Sequence, residues 1–389
     1  MKKVLIVGGG AGGIILANSL DKKNYDVTIL DKSDMQVFQP WFLYMAFEGK
    51  NKNISKPTVK LLNKGSKFIK EEVKTIDLDN RSVQTASNTY SYDYLVVATG
   101  TVTDTSSIRG LQEINSKFGD YHTNIDNSMR LWSNINSFSG GTLVLGQASP
   151  TCKCPPSPLE GILLAEQLLT RKKIKQKSKL VFFTPYPRAY PAEPINKIVE
   201  PIMKARGIDI YTFFDVDYID TQKSSIYSIE GDEIHYDLPI VIPPCVGVKI
   251  EYKQDVLDQD RFVKADKYTM RIQGYDDAFA IGDATNIPTS KSGVTAHLQA
   301  KVVASIIEGQ NVIFNGRTHC PFDMAYGKAT FVIGSYTQPV VPYPPSAFKH
   351  FMKMMMAKIY WSSLKGTFDF MFDTYFKMTD PEKLNKKYK

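Results

Sequence analysis

The N-terminal segment constrains this chain more than any other part of it. The apolar run Lys3 to Val7 leads straight into Gly8-Gly9-Gly10-Ala11-Gly12-Gly13. A helical pattern, Ile14 to Leu20, follows, and a second apolar run, Val27 to Leu30, ends at Asp31. Strand, glycine turn, helix and strand in that order give a βαβ unit with parallel strands. Gly8, Gly10 and Gly13 carry the G-x-G-x-x-G spacing. A β-carbon there would block the tight turn or hold the backbone away from a pyrophosphate, while the next helix directs free N–H groups and its positive dipole end at that phosphate. Asp31 stands at the end of the second strand, where a carboxylate accepts ribose hydroxyls and repels a 2′-phosphate. A dinucleotide site is expected at this end of the chain.

Further buried strands are expected at Tyr94 to Val97, ending in Ala98-Thr99-Gly100, and at Ala278 to Ile281, ending in Gly282-Asp283, with a long helix over Val294 to Glu308. A second βαβ-like pattern lies between them: strand Thr142 to Leu145, helix Leu159 to Leu169 and strand Lys179 to Phe183. Its turn, Gly146 to Cys152, has no G-x-G-x-x-G, and Pro150, Pro155, Pro156 and Pro158 crowd the place where backbone N–H groups would cradle a second pyrophosphate. The chain has 389 residues, more than one core usually organises. The expected class is α/β with two Rossmann-like, FAD/NAD(P)-type domains and a C-terminal amphipathic segment. The first domain is divided between 1–110 and 241–320, the second is 111–240, and the attachment region is 321–389.

A composition that is 43% hydrophobic and 23% charged is globular and excludes disorder. The net charge of +8 is compatible with nucleic acid, an anionic membrane surface or an anionic substrate. The basic residues are dispersed and no reading motif appears, so nucleic acid is not expected. Four cysteines, Cys152, Cys154, Cys245 and Cys320, are too few for a disulfide scaffold, and their spacing lacks the pairing of a zinc site, so no metal is expected. Cys154 precedes a helix in Cys152-Lys153-Cys154-Pro155-Pro156-Ser157-Pro158-Leu159-Glu160. Cys320 lies in Arg317-Thr318-His319-Cys320-Pro321, before Tyr326-Gly327-Lys328. Helix N-termini and basic neighbours such as Lys153, Arg317 and His319 stabilise a thiolate. Cys245, between Pro244 and Val246, reads as a small buried hydrophobe.

With the N-terminal motif, the segments ending in Gly100 and Asp283 resemble the two-dinucleotide-domain flavoproteins. That resemblance implies FAD, with Gly8, Gly10, Gly13, Asp31, Thr99, Gly100, Gly282 and Asp283 around it and Asp283 on the ribityl chain. More narrowly, the Cys154 to Glu160 segment, Cys320-Pro321 before Tyr326-Gly327-Lys328, Gly282 to Lys291, and Phe38-Gln39-Pro40 resemble the sulfide:quinone oxidoreductase family, kin of the flavocytochrome c sulfide dehydrogenases. The resemblance implies hydrogen sulfide as donor, a membrane quinone as acceptor, and Cys154 and Cys320 facing each other beside the flavin, with Cys152 the lesser candidate for Cys154. Some members tether the flavin through a cysteine ahead of the second domain. Residues 1–151 hold no cysteine, so FAD is expected without such a tether. Lys291 and Lys328 are candidates to stabilise reduced flavin or quinone, or are surface lysines. Glu160 is a candidate proton acceptor beside Cys154, or an ordinary first-turn acid.

On a helix, Phe348, Phe351, Met352, Met355 and Ile359 share one face and Lys349, His350 and Lys353 the other, and a second apolar stripe follows Gly366. Basic amphipathic helices of this kind lie in the headgroup layer, as a lipid-dissolved substrate requires. No stretch reaches the roughly 20 apolar residues of a membrane span. A peripheral, monotopic protein is expected, on the cytoplasmic face since no signal peptide is seen, with self-association left open. Two alternatives stand beside this reading: a type II NADH:quinone oxidoreductase, and a flavin subunit that passes electrons from sulfide to a cytochrome partner.

Overall fold

Two parallel sheets organise the chain in a computed structural model that describes residues 1–388. The first has five strands, in the order Ala278–Ala280, Tyr94–Val97, Lys2–Val7, Tyr25–Asp31 and Ser66–Lys70. Its central strands are buried on both sides, as their unbroken apolar runs require. Val7 pairs with Leu30 on one side and Val97 on the other, and Ala280 pairs with Val97. This register brings Gly8, Asp31, Ala98 and Ile281 to the same edge of the sheet, although they come from distant parts of the chain. That carboxyl edge, where strand order reverses, is where open α/β sheets bind ligands. The helices Ala11–Ser19 and Gly293–Ile307 pack against each other beside it.

The second sheet has four strands, in the order Ile208–Tyr211, Ser178–Phe183, Gly141–Gln147 and Leu238–Ile242, all parallel. Gly146 pairs with Phe183 and Gln147 with Ile242. The loops that leave these strands therefore emerge side by side. One of them, running from Ala148 to Pro156, carries Cys152 and Cys154. It ends in the helix Ser157–Arg171, whose buried Leu159, Ile162, Leu163 and Leu168 fix it to the sheet.

Beyond the sheets, an antiparallel hairpin, Thr318–Asp323 with Ala329–Gly334, presents Cys320 opposite Val332. Three helices close the chain: Ala347–Ser363, Asp369–Met378 and Pro381–Tyr388. Among the described residues no helix is long and apolar enough to cross a membrane. The tail departs from its expected arrangement. The face with His350 and Lys353 was expected in water, but it turns inward onto Asp323 and Glu160, and Met354, Ala357, Tyr360 and Trp361 pack beside it on the body. The physical reason is that buried carboxylates need partners: Lys353 brings counter-charge to Glu160, and the His350 ring faces Asp323. Phe348 and Phe351 stay outside, 68% and 59% exposed. In the second stripe Met371 is exposed, whereas Phe376 is buried; Phe370, beside the stripe, is exposed as well.

Candidate active site

The N-terminal turn is shaped by close approach. Gly8 has φ +112°, and a β-carbon on it would lie 2.4 Å from the Ala98 carbonyl oxygen. A β-carbon on Gly13 would lie 2.0 Å from the Gly8 carbonyl oxygen, so only glycine lets the helix start this close to the strand. Gly10 and Gly100 border open space: a β-carbon on Gly10 would meet nothing nearer than 3.9 Å, and one on Gly100 nothing within 4 Å. Asp31 accepts from the Gly9 N–H at 2.6 Å and from the Ser33 N–H at 2.8 Å, so its carboxylate is held over the turn. Thr99 stands half-buried between Ala98 and Gly100 on the same edge.

Across this edge, the Gly282 N–H donates to Gln299 Oε1 at 2.6 Å, and the Gln299 amide nitrogen is buried without a partner. Thr58 Oγ1, whose side chain borders Gly9, is also buried without a partner. Such orphans are costly unless a bound group satisfies them. Burial pushes the Asp283 carboxyl up, while Lys291 and Lys153 oppose that shift. Lys291 Nζ donates to the carbonyls of Asp283 and Thr285 at 3.1 and 2.8 Å. Its ammonium is pushed down by burial, against the pull of Asp283. The open cradle at Gly10 and Gly100, the carboxylate at Asp31 and the unpaired Gln299 amide fit FAD.

Cys154 and Cys320 meet against the segment that follows Asp283. The Cys154 N–H donates to the Lys291 carbonyl at 2.9 Å, and Cys320 Sγ lies 3.2 Å from Ser290 Oγ. All four cysteines are free thiols. Thiolate stabilisation was expected at both cysteines, and the electrostatics run the other way. Burial pushes Cys154 well up, helped by the negative charges of Glu160 and Cys320. Burial also raises Cys320, against donation from Ser290 and Ser292. The expected basic neighbours of Cys320 are not there. Successive side chains alternate across a strand, so Arg317 and His319 face the tail helices, where Arg317 donates to the Thr379 carbonyl at 2.7 Å and the His319 ring pairs with the Tyr375 hydroxyl. Lys153 reaches Gln39 Oε1 at 3.1 Å.

Glu160 is fully enclosed. Its Oε1 accepts from the Asp323 N–H at 2.5 Å and pairs with Lys353 Nζ. Burial raises the Glu160 carboxyl, and Lys353 holds that rise in check. Asp323, two residues beyond Pro321, accepts from the Tyr44 hydroxyl at 2.7 Å and faces the His350 ring at 3.4 Å. Burial works against its charge, but His350, Lys353, Tyr44 and the Ala325 N–H together outweigh burial and hold the carboxyl down at about 2. Lys353, Asp323, Tyr44 and His350 escaped sequence reasoning, since no motif links them to Cys154. Lys328, expected to stabilise a developing anion, lies exposed at the tip of the hairpin; the buried cation beside Cys154 is Lys353 instead. The hairpin turn puts Lys328 in water, because Tyr326, Gly327 and Lys328 are its outermost residues.

Residues 2–140 match the family described as pyridine nucleotide-disulphide oxidoreductase. A mitochondrial sulfide:quinone oxidoreductase of Dictyostelium discoideum is 27% identical over 389 residues, covering 94% of this chain and 86% of that protein. Its counterpart in Mus musculus is 24% identical, covering 93% of this chain and 86% of that protein. The solved sulfide:quinone oxidoreductase of Aquifex aeolicus superposes with a TM-score of 0.85 at 21% identity, covering 98% of this chain and 96% of that one, so the fold is shared from end to end. Type II NADH:quinone oxidoreductases of Staphylococcus saprophyticus and Staphylococcus aureus also match, at 24% and 23% identity over 79% and 86% of this chain, and the cradle for FAD is built. Over almost its whole length the chain is similar to sulfide:quinone oxidoreductases, and it is an FAD-dependent oxidoreductase.

Proposed function

We propose that this protein oxidises sulfide at Cys154 and Cys320 and delivers the electrons to a membrane quinone. One observation carries the reading. Two cysteines from separate domains come to the same short stretch, Ser290 and Lys291, directly after the Gly282–Asp283 turn. Gly8, Gly10, Gly13, Asp31, Thr99, Gly100, Gly282, Asp283 and Lys291 would hold FAD. When bound, FAD takes up the electron pair that leaves the cysteines and yields it to the quinone.

The residues do the rest. Hydrosulfide attacks Cys154 Sγ in the oxidised pair. The bond between the two cysteine sulfurs breaks, a new sulfur–sulfur bond forms on Cys154, and Cys320 leaves as a thiolate. Ser290 and Ser292 donate to that thiolate, which burial would otherwise disfavour. Glu160 takes the proton of the incoming hydrosulfide. Its carboxyl is raised toward the working pH by burial, which suits a general base, and Lys353 keeps it charged until then.

The exposed Phe348, Phe351, Phe370 and Met371, with Lys349 and Lys377 near them, support attachment to an anionic bilayer surface, apolar side down. The loop from Ala148 to Pro156 favours sulfide over NADH as donor, because its prolines supply no N–H for a pyrophosphate. The test is the visible spectrum of the purified flavoprotein. Sulfide is expected to bleach the flavin band and NADH to leave it unchanged, with quinone restoring the colour. Cys154→Ser and Cys320→Ser are expected to keep the flavin and lose the response to sulfide. Bleaching by NADH alone would overturn the proposal.

A further inference from the structure

The other two cysteines do not lie elsewhere in the fold. Gln147 pairs with Ile242, so the loops leaving those neighbouring strands run together. The Ala148 N–H donates to the Ile242 carbonyl at 3.0 Å, and three residues on, the Cys245 N–H donates to the Thr151 carbonyl at 2.9 Å. That second bond holds the α-carbons of Cys152 and Cys245 within about 7 Å, the outer limit for two cysteines to react with each other. Cys152 stands two residues from Cys154 and shares one apolar cluster with Cys320. Taken by these neighbours, the four cysteines follow one another as a row in the order Cys320, Cys154, Cys152, Cys245. Cys152 and Cys245 are both buried, 8% and 1% exposed. Burial pushes both thiols up, as it does at Cys154. Tyr121, Tyr186 and Tyr190 line the row. Such surroundings suit sulfane sulfur, which is uncharged and apolar, better than an ion.

We propose that Cys152 and Cys245 are a buried store for the sulfur oxidised at Cys154. This inference rests on sulfide being the donor. In the transfer, Cys152 Sγ attacks the outer sulfur of the Cys154 persulfide. The bond from that sulfur to Cys154 Sγ breaks, a bond to Cys152 Sγ forms, and the proton of the Cys152 thiol passes to Cys154. No electrons are gained or lost, so no oxidant is needed. A second transfer of the same kind moves the sulfur from Cys152 to Cys245. Cys154 is left bare and able to re-form its bond with Cys320 without an inserted atom.

The experiment uses the FAD-loaded full chain, treated without oxygen with less than one equivalent of sulfide, then alkylated and digested with trypsin. Cleavage after Lys153 puts Cys152 and Cys154 on separate peptides. Mass spectrometry is expected to find one added sulfur on the peptide ending at Lys153 and on the peptide carrying Cys245. Both labels are lost in Cys154→Ser, and the Cys245 label is lost in Cys152→Ala, with bound flavin absorbance confirming the fold of each variant. Flavin bleached by sulfide with added sulfur confined to Cys154 and Cys320 would overturn the store and leave sulfide oxidation standing. Label on Cys152 that survives in Cys154→Ser would overturn the relay order. Flavin unresponsive to sulfide would overturn the proposed function and the store with it.

Discussion

Replacing Lys353 by Met tests whether the tail helix neutralises the acid beside Cys154. Lys353 pairs with Glu160, and both side chains are almost fully enclosed. Without the ammonium, a charged Glu160 is left in apolar surroundings, and removing one partner of a buried pair costs about 3–5 kcal/mol. At pH 7 the cheaper response is for Glu160 to take up a proton. That costs about 1.4 kcal/mol for each pH unit above its free pKa of about 4.3, or about 4 kcal/mol at most. The wild-type carboxyl is already raised by burial, so part of this cost is present before the substitution. The expected loss is about 2–4 kcal/mol, which for a chain of this length lowers Tm by about 3–5 °C. The sign with pH follows from the direction of the shift. A carboxyl raised further in the folded state binds its proton more tightly folded than unfolded, so the deficit of the variant grows as pH rises from about 4.3 toward 7 and closes near pH 4. Thermal unfolding of the flavin-loaded protein, followed at several pH values by flavin release, measures this directly. Glu160→Gln added to Lys353→Met is expected to recover most of the loss. A deficit independent of pH, or no recovery in the double variant, would refute the argument.

Tyr44→Phe removes the hydroxyl that donates to Asp323. A lost hydrogen bond to a charged group costs about 1.5–3 kcal/mol. Asp323 titrates at about 2, so its stabilisation is lost only as pH falls through that value; in the variant, acid unfolding should set in at a higher pH. Gly13→Ala puts a β-carbon 2.0 Å from the Gly8 carbonyl oxygen, so the variant should purify without flavin colour, and full occupancy by FAD would count against the turn geometry. Phe348→Ser with Phe351→Ser removes two exposed rings, each worth about 1.5–3 kcal/mol if buried in lipid, so co-sedimentation with anionic vesicles should fall more than about tenfold. Unchanged sedimentation would locate membrane contact elsewhere.

The first and last elements of the candidate FAD site were legible because each is local. Gly8, Gly10, Gly13 and Asp31 lie in one βαβ unit, and the strands ending at Gly100 and Asp283 announce themselves as short apolar runs before glycine. The neighbourhood of Cys154 was not legible in the same way. A thiolate was expected from Lys153, Arg317 and His319, which are adjacent in sequence. Strand alternation turned Arg317 and His319 away from Cys320, and Gln39 engaged Lys153. Lys353 looked like a solvated lysine on an amphipathic helix, since nothing near it in the chain says that a buried acid is waiting.

By itself, the amino-acid order determined the βαβ units, the glycine cradle, a second turn rich in proline, and the pair of cysteines worth watching. Only the tertiary structure decided what those cysteines face. Charge compensation in a buried site acts through space: Glu160 and Asp323 find Lys353, Tyr44 and His350 by packing, not by spacing. The same holds for Cys152 and Cys245, which sheet register brings together and which no periodicity in the chain foretells.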